Sequence, residues 1–239
     1  MADTFFYEPL LQQNENILSL SENTSKHCTQ VLRMKVGDVL ELTNGKGLLC
    51  KASIQNIDKK NCVVKIVEEE IHPPHLHKIS IAISILKNAD RFEWFVEKAT
   101  EMGITEIIPL ICNRTLKQNF RIDRMQNIVV SAMLQSKQVW LLQLQEVRLF
   151  EKHISSSSPN KIKLIAYCGI AEKKDFNAIN FSSSAEILIG PEGDFSANEI
   201  MLAKENNYIP ISLGNTRLRT ETAGVVAAAV LTNKIRGFQ

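Results

Sequence analysis

The chain has 239 residues, of which 44% are hydrophobic and 23% are charged, and its formal net charge is +2. A chain of this size and composition buries enough apolar surface to fold without disulfide bonds or bound metal ions, which excludes a disordered protein. The near-neutral net charge argues against a strongly basic protein that binds nucleic acid by charge alone. The charge is nevertheless uneven: residues 1–75 have a net charge of −2 and the remainder +4, which favours two domains.

The cysteines and the hydropathy pattern indicate the compartment. Five cysteines occur without a C-x-x-C pair, so neither a disulfide framework nor a zinc ribbon is predicted. All five lie among apolar neighbours and are expected to be small buried hydrophobic residues. The first residues lack the pattern of a secretory signal, and no uncharged stretch reaches the length of about 18 residues that a membrane span needs. We expect a cytoplasmic protein without metal or membrane association.

The first seventy residues are predicted to form a small β domain. Val39–Thr43, Leu48–Gln55 and Cys62–Glu68 are rich in β-branched and apolar residues, and Gly, Asn, Asp and Lys clusters separate them. Short strands divided by turn residues are typical of a small barrel or sandwich. The domain is expected to end near Glu70.

A linker is predicted at His72–His77, because the consecutive prolines 73 and 74 lack amide donors and restrict the residues before them. Three histidines in this segment also allow a metal site. No fourth ligand is spaced to join them, so the linker is the favoured interpretation.

From Lys78 onward, strand and helix patterns alternate, which favours a mainly parallel α/β sheet. Ser196 and Glu199 have the spacing of a capping box at the start of a helix. The predicted strands and helices are Ile79–Ile85, Ala89–Met102 (helix), Ile104–Ile111, Ile122–Leu142 (helix), Ile162–Tyr167, Glu186–Ile189, the helix capped by Ser196, Ile209–Leu213 and Thr220–Ile235 (helix).

Two loops of the second half each join a strand end to a helix start. Ile189–Ser196 reads IGPEGDFS, and Leu213–Ala223 reads LGNTRLRTETA. Ligands of α/β sheets bind outside the carboxyl ends of the strands, so these loops are the candidate site. The alternative is that both are ordinary tight turns, with Glu221 only complementing the helix dipole. The motifs of dinucleotide-binding folds, P-loop NTPases, serine hydrolases and zinc proteases are absent.

Four segments, in the same order, resemble one known family. IGPEGDFSANE and LGNTRLRTETAG resemble the signature motifs of the RsmE-type 16S ribosomal RNA methyltransferases of the SPOUT superfamily. HCTQVLRMKVGD (His27–Asp38) and the block Leu86–Thr115 resemble two further motifs of that family. The chain departs from the family pattern at Asp194, where the family has glycine. It departs again at Ala132–Gln138, where an acid and an arginine are missing.

The resemblance implies a PUA-like β-barrel over residues 1–71, a linker over 72–78 and a SPOUT methyltransferase domain with a trefoil knot over 79–239. It implies S-adenosylmethionine-dependent methylation of N3 of a uridine in 16S ribosomal RNA, within ribosome biogenesis. It also implies a cofactor site in the knot. The expected cofactor-binding residues are Cys168, Gly169, Ile189, Gly190, Pro191, Glu192, Gly193, Leu213, Gly214 and Leu218.

Roles for the cations follow from the same resemblance. Arg219, or else Arg217, is expected to stabilise the anionic uracil during methyl transfer. Both arginines could instead anchor phosphates or pair with Glu192 and Glu221. The expected phosphate contacts are Arg33, Lys35, Lys87, Arg91, Lys98 and Arg114.

The segment Ala223–Leu231 is apolar on every side, which predicts a buried helix. The resemblance implies that it is buried across the two-fold axis of a homodimer. Burial within one subunit is the alternative.

The expected partners are 16S ribosomal RNA or the small ribosomal subunit. Two other functions remain open: a SPOUT methyltransferase acting on another RNA position, and a non-catalytic RNA-binding protein of ribosome assembly.

Overall fold

The computed structural model describes residues 4–58, 61–116, 120–158, 161–169, 174–176, 179, 181 and 183–236. The chain divides into two compact units. The first consists of residues up to His75 together with Met133–Leu141, and the second consists of Leu76–Ala132 together with the residues from Leu142 onward.

The first unit is built on one five-stranded sheet. The strand order is β1-β3-β4-β5-β2, and every pairing is antiparallel except that between β1 and β3. A short helix and a π-helical turn, His27–Val31, lie between β2 and β3. The elements are β1 (Phe5–Tyr7), β2 (Ile17–Ser19), α1 (Glu22–Lys26), β3 (Val39–Thr43), β4 (Leu48–Ile57) and β5 (Cys62–Ile71).

Every second side chain along the strands points into the core of this unit. Leu40 and Leu42 of β3, and Cys50, Ala52 and Ile54 of β4, are fully buried. Residues two apart in a strand point to the same face, so these side chains share one apolar layer. The predicted β domain is therefore present, and its last strand ends at Ile71.

The segment 133–141 differs from the sequence prediction, which continued one helix to Leu142 in the second domain. The helix ends at Gln135, and Lys137 has a left-handed backbone (φ 54°). Beyond the helix, Trp140 forms an isolated antiparallel bridge with Lys46, the Val139 carbonyl accepts from the Gly47 N–H (2.9 Å) and the Leu141 N–H donates to the Gly45 carbonyl (2.9 Å). These bonds join the segment to the first unit. A helical pattern in sequence does not report such long-range bonds.

The second unit contains a parallel sheet with helices. Its elements are β6 (Ile79–Ser84), α2 (Ala89–Glu101), β7 (Glu106–Ile111), α3 (Ile122–Gln135, whose end belongs to the first unit), β8 (Gln143–Leu144), β9 (Arg148–Leu149), α4 (Phe150–Ser156), β10 (Ile162–Ala166), β11 (Lys174–Asp175), β12 (Ala185–Ile189), α5 (Ala197–Glu205), β13 (Ile209–Ser212) and α6 (Thr220–Arg236).

The strand order of this sheet is β11-β13-β10-β12-β6-β7-β8, with β9 also paired to β7. All of these pairings between described residues are parallel. The predicted α/β architecture is therefore confirmed. Strand β10 lies between β12 and β13, so the ends of these three strands are neighbours at one edge of the sheet.

Local signals explain where the helices begin. The Asn88 side chain accepts from the Asp90 N–H and caps α2. The predicted capping box is confirmed at α5, where the Ser196 side chain accepts from the Glu199 N–H and the Glu199 carboxylate accepts from the Ser196 N–H. Helix α6 packs on α2 at Gly224, where a Cβ would lie 2.6 Å from the Phe95 ring. Only glycine permits this close approach.

A buried polar cluster lies at the amino end of β12. The Glu186 side chain is 1% exposed. Its Oε1 atom lies 3.1 Å from His153 Nε2 and accepts from the hydroxyls of Tyr208 (2.6 Å) and Ser157 (2.9 Å), and its Oε2 atom lies 3.3 Å from Lys161 Nζ. A buried carboxylate is tolerated only with such partners.

No described helix is long and apolar enough to span a bilayer. No group of three or more His, Cys, Asp or Glu side chains in the described part of the chain is arranged to hold a metal ion.

Candidate active site

The carboxyl ends of β10, β12 and β13 surround one cavity of about 580 Å³. Its walls come from three strand ends and the residues that follow them: 166–168 at the end of β10, 189–192 and 194 at the end of β12, and 211–220 at the end of β13, with Ala223 of α6. The volume falls within the range of about 300–1,000 Å³ that is usual for small-molecule sites. The two loops that the sequence singled out therefore meet, as expected for the carboxyl edge of a parallel sheet.

Most of the predicted cofactor residues line this cavity, as do both candidate arginines. Gly169 and Gly193 are not among the lining residues. A Cβ at Gly169 would contact the Tyr167 ring, and one at Gly193 would contact Arg114. The lining residues that the sequence had singled out are Cys168, Ile189, Gly190, Pro191, Glu192, Leu213, Gly214, Arg217, Leu218 and Arg219.

Contacts from two sides fix the loop after β12. The buried Thr220 hydroxyl donates to the Gly190 carbonyl (2.9 Å), and Arg114 Nη1 donates to the Gly193 carbonyl (2.6 Å). Glu199 adds a third contact, because its Oε1 atom accepts from the Asn113 N–H (2.7 Å). The loop is thus held by α6 and by the turn after β7. Arg114, which the sequence assigned to phosphate, is engaged with the protein here.

The two arginines after β13, Arg217 and Arg219, are exposed, and neither guanidinium has a hydrogen-bond or ion-pair partner among the described residues. Glu221, the alternative partner considered from the sequence, pairs with Arg91 instead (Nε to Oε1, 3.6 Å). The Glu221 side chain is 8% exposed and that of Arg91 is 41% exposed. Arg217 and Arg219 are therefore available to a ligand, which is the geometry that the anion-stabilising role requires.

A second cavity, also of about 580 Å³, adjoins the first through Glu192, which lines both. Its other lining residues are Lys87–Arg91, at the start of α2. Lys87 is exposed. The Lys87 and Arg91 cations share this lining with the carboxylates of Asp90 and Glu192, so the charges of the lining balance.

The remaining predicted phosphate contacts differ in their surroundings. Arg33 and Lys35 of the first unit are exposed, and Arg33 has a left-handed backbone (φ 52°). Lys98 Nζ lies 2.7 Å from Glu97 Oε1 and 2.9 Å from Glu101 Oε1. These hydrogen bonds raise the pKa of Lys98 and partly balance its charge.

The predicted cofactor residues left out several residues that line the cavity. Asp194 was noted only as a departure from the family pattern, yet it lines the cavity. Tyr167, the last residue of a predicted strand, and Thr220, within the second candidate loop, line it as well. Cys168 was expected to be buried with the other cysteines but is exposed, because it follows the last paired residue of β10.

The cavity fits a nucleoside cofactor with a methionine tail. Apolar side chains such as Ile189, Leu213 and Leu218 offer a surface for an adenine ring. Gly214 has a φ of 138° and no atom within 4 Å of an added Cβ, so its main chain stands open to the cavity. A Cβ at this position would occupy space that a ligand could use.

Comparisons with known proteins agree with this site. The model of an RNA methyltransferase domain matches residues 72–232, and that of an RNA methyltransferase PUA domain matches residues 20–67. The ribosomal RNA small subunit methyltransferase E of Rickettsia conorii is 31% identical over 92% of this chain and 90% of the relative.

Two solved structures are also similar over nearly their whole length. A probable rRNA-methyltransferase from Porphyromonas gingivalis has 33% identity and a TM-score of 0.89, covering 95% of this chain and 96% of the other. A ribosomal RNA small subunit methyltransferase E from Neisseria gonorrhoeae, bound to S-adenosyl methionine, has 26% identity and a TM-score of 0.88, covering 98% of both chains.

The fold, the site and these matches define an RNA methyltransferase with an amino-terminal PUA-like domain. Its cofactor is S-adenosylmethionine. The chain belongs to the ribosomal RNA small subunit methyltransferase E family.

Proposed function

We propose that this protein transfers the methyl group of S-adenosylmethionine to N3 of a specific uridine in 16S ribosomal RNA. The observation that carries the proposal is the meeting of three strand-end loops around one cavity, whose lining includes two arginines without an ion-pair partner among the described residues. Family membership supplies the ribosomal substrate, because relatives are named for the small-subunit RNA. The protein would act in the cytoplasm, where ribosomal subunits are assembled.

The residues of this chain have three tasks in the reaction. S-adenosylmethionine, when bound, supplies a methyl group on a positively charged sulfur. The predicted cofactor residues would hold S-adenosylmethionine, and alignment of two bound reactants alone contributes several kcal/mol. Arg219, with Arg217 two positions before it in the loop, would stabilise the negative charge that develops on uracil as the N3 proton passes to water. The methyl group would then pass to N3, and the sulfur would keep the electron pair of the broken bond, so the demethylated product would leave with a neutral sulfur.

The RNA would be held by cations of both units. We propose Arg33 and Lys35 in the first unit, and Lys87, Arg91, Lys98 and Arg114 in the second, as phosphate contacts. Lys87 and Arg91 line the second cavity, which shares Glu192 with the first, so both cations lie near the proposed cofactor site. Such contacts orient the RNA without reading its sequence.

The proposed reaction is tested by nucleoside mass spectrometry. Purified protein is incubated with S-adenosylmethionine and with small subunits, or free 16S RNA, from a strain that lacks the gene. We expect one N3-methylated uridine, which chromatography separates from uridines methylated on carbon or ribose. Methylation at another atom or in another RNA would favour the related-enzyme alternative. Cofactor binding without any methyl transfer would favour a binding protein.

We also propose that the second unit is knotted and that two copies pair through α6. The placement of β10 between β12 and β13, whose loops together enclose the cavity, supports a trefoil knot. For the dimer, support comes from α6: Gly224, Ala227 and Leu231 are buried within the chain, whereas the opposite face is only partly buried. The residues of that face include Thr222, Val225, Val226, Ala229 and Val230.

Val226→Arg is expected to convert the dimer to a monomer, because it places a charge in the centre of an apolar interface. Light scattering after size exclusion measures the mass. Met201→Arg is the matched control, since it adds the same charge at an exposed apolar residue of α5 and is expected to leave the dimer intact. A monomeric wild type would contradict the proposed pairing.

A further inference from the structure

Asp194 has an unusual backbone for a residue with a side chain. Its φ is 64°, in the left-handed region, and its N–H donates to the Pro191 carbonyl (2.9 Å), which closes the turn after β12. Non-glycine residues persist in this region only where their surroundings compensate for it. The compensation at Asp194 comes from its own carboxylate.

The Asp194 carboxylate bridges two of the loops that form the cavity. Its Oδ2 atom accepts from the Cys168 N–H (2.8 Å), and its Oδ1 atom accepts from the Phe195 N–H (2.8 Å). Charge-assisted bonds of this kind are stronger than bonds between neutral groups. Asp194 and Cys168 are 26 positions apart in the chain, and both line the cavity.

This bridge completes the support of the loop. Thr220 holds the loop from α6 and Arg114 holds it from the turn after β7. The ladder between β10 and β12 ends at Ala166 and Ile189. Beyond that pair, within the described residues, the Asp194 carboxylate is the hydrogen-bond partner that joins Cys168 to the loop after β12.

We propose that Asp194 is a positioning residue for the cofactor: its carboxylate fixes the main chain at Cys168 against the loop 189–196 before S-adenosylmethionine enters. A wall that is already ordered loses little conformational freedom on binding, so the ligand is bound more tightly. The inference rests on the proposed function, which assigns this cavity to the cofactor.

Titration calorimetry with S-adenosylmethionine and with its demethylated product tests the role. Asp194→Gly removes both accepted hydrogen bonds, while glycine tolerates the left-handed backbone, so the fold is expected to remain. We expect an affinity loss of about tenfold or more for both ligands. Asp194→Asn keeps one acceptor oxygen and is expected to fall between wild type and Asp194→Gly.

The matched control is Asp38→Asn in the first unit. The Asp38 carboxylate also accepts from a main-chain N–H, that of Lys35 (2.8 Å), but Asp38 belongs to the first unit and does not line the cavity. We expect its cofactor affinity to equal that of the wild type. Circular dichroism and the unfolding midpoint of each unliganded variant show whether the fold is retained.

Alkylation of Cys168 gives a second readout that general destabilisation does not mimic. The other four cysteines are buried, and burial raises the pKa of Cys28 and Cys112 to about 12, so iodoacetamide reports on Cys168. We expect the cofactor to protect Cys168 in the wild type. In unliganded Asp194→Gly we expect faster labelling, because the main chain at Cys168 is released.

Failure of the proposed function and failure of the positioning role give different results. A wild type that is folded but binds neither ligand would overturn the proposed function. A wild type that binds normally, with Asp194→Gly equal to it in affinity and in the labelling rate of Cys168, would overturn the positioning role alone.

Discussion

Arg219→Ala is expected to lower the methylation rate by at least about a hundredfold while the affinity for S-adenosylmethionine remains within a few-fold of the wild type. Loss of one group that stabilises a developing anion usually costs about 10²–10³ in rate. Arg219 is exposed in the cavity lining and its guanidinium is free of protein partners among the described residues, so its removal leaves no buried group unpaired. Single-turnover kinetics with ribosomal RNA measure the rate, and calorimetry measures the affinity.

Two further variants test whether the cation is needed and which arginine supplies it. Arg219→Lys keeps a cation but loses the planar guanidinium, and it is expected to retain part of the rate. Arg217→Ala tests the neighbouring candidate in the same loop. Unchanged turnover in Arg219→Ala combined with a large loss in Arg217→Ala would transfer the role to Arg217. Unchanged turnover in both would rule out this electrostatic step.

Glu186→Gln is expected to lower the free energy of unfolding by about 3 kcal/mol, the scale on which breaking a buried ion pair destabilises a protein. The carboxylate accepts from Tyr208 and Ser157 and lies beside His153 and Lys161. An amide offers one acceptor oxygen and no charge, so these partners lose a shared acceptor. Urea unfolding followed by circular dichroism measures the change.

Glu205→Gln is the matched control, because Glu205 is an exposed acid of α5 in the same unit. Its effect is expected to stay within about 0.5 kcal/mol. Equal stability of the two variants would contradict the structural importance of the Glu186 cluster.

The same carboxylate gives the wild type an acid-sensitive stability. Burial alone would raise the pKa of Glu186, but the hydrogen bond and charge of His153, the Tyr208 hydroxyl and the Lys161 ammonium together lower the pKa to about 2. The unfolded chain binds this proton near its ordinary pKa of about 4.5. The stabilising contribution is thus complete above about pH 5 and is lost as the pH falls towards 2. Glu186→Gln is expected to show less loss of stability across this window.

Features encoded by neighbouring residues could be predicted from the sequence. The capping box of Ser196 and Glu199 is confirmed because both bonds form within one helical turn. The meeting of the loops after β12 and β13 followed from the rule that parallel strands end at a common edge. These two local patterns located the cavity.

Features that depend on distant residues could not be predicted. The pattern of 122–142 is helical throughout, yet Val139 is held by Gly47, almost a hundred positions earlier. In the sequence Glu186 is an ordinary strand residue, because its partners lie far away in the chain: they come from α4, the residue before β10 and the residue before β13. The pairing of Glu221 with Arg91 likewise joins two helices that are far apart in sequence. Spacing within a segment carries no information about such partners.

The strand order of the second unit sets a condition on biosynthesis. Strand β13 pairs with β10, and the residues that line the cavity at its end extend to Arg219 and beyond. A nascent chain that has emerged only as far as α5 therefore lacks one wall of the pocket. We expect the pocket to bind its ligand only after the loop 213–219 has left the ribosome, so a product truncated at α5 would not sequester the metabolite.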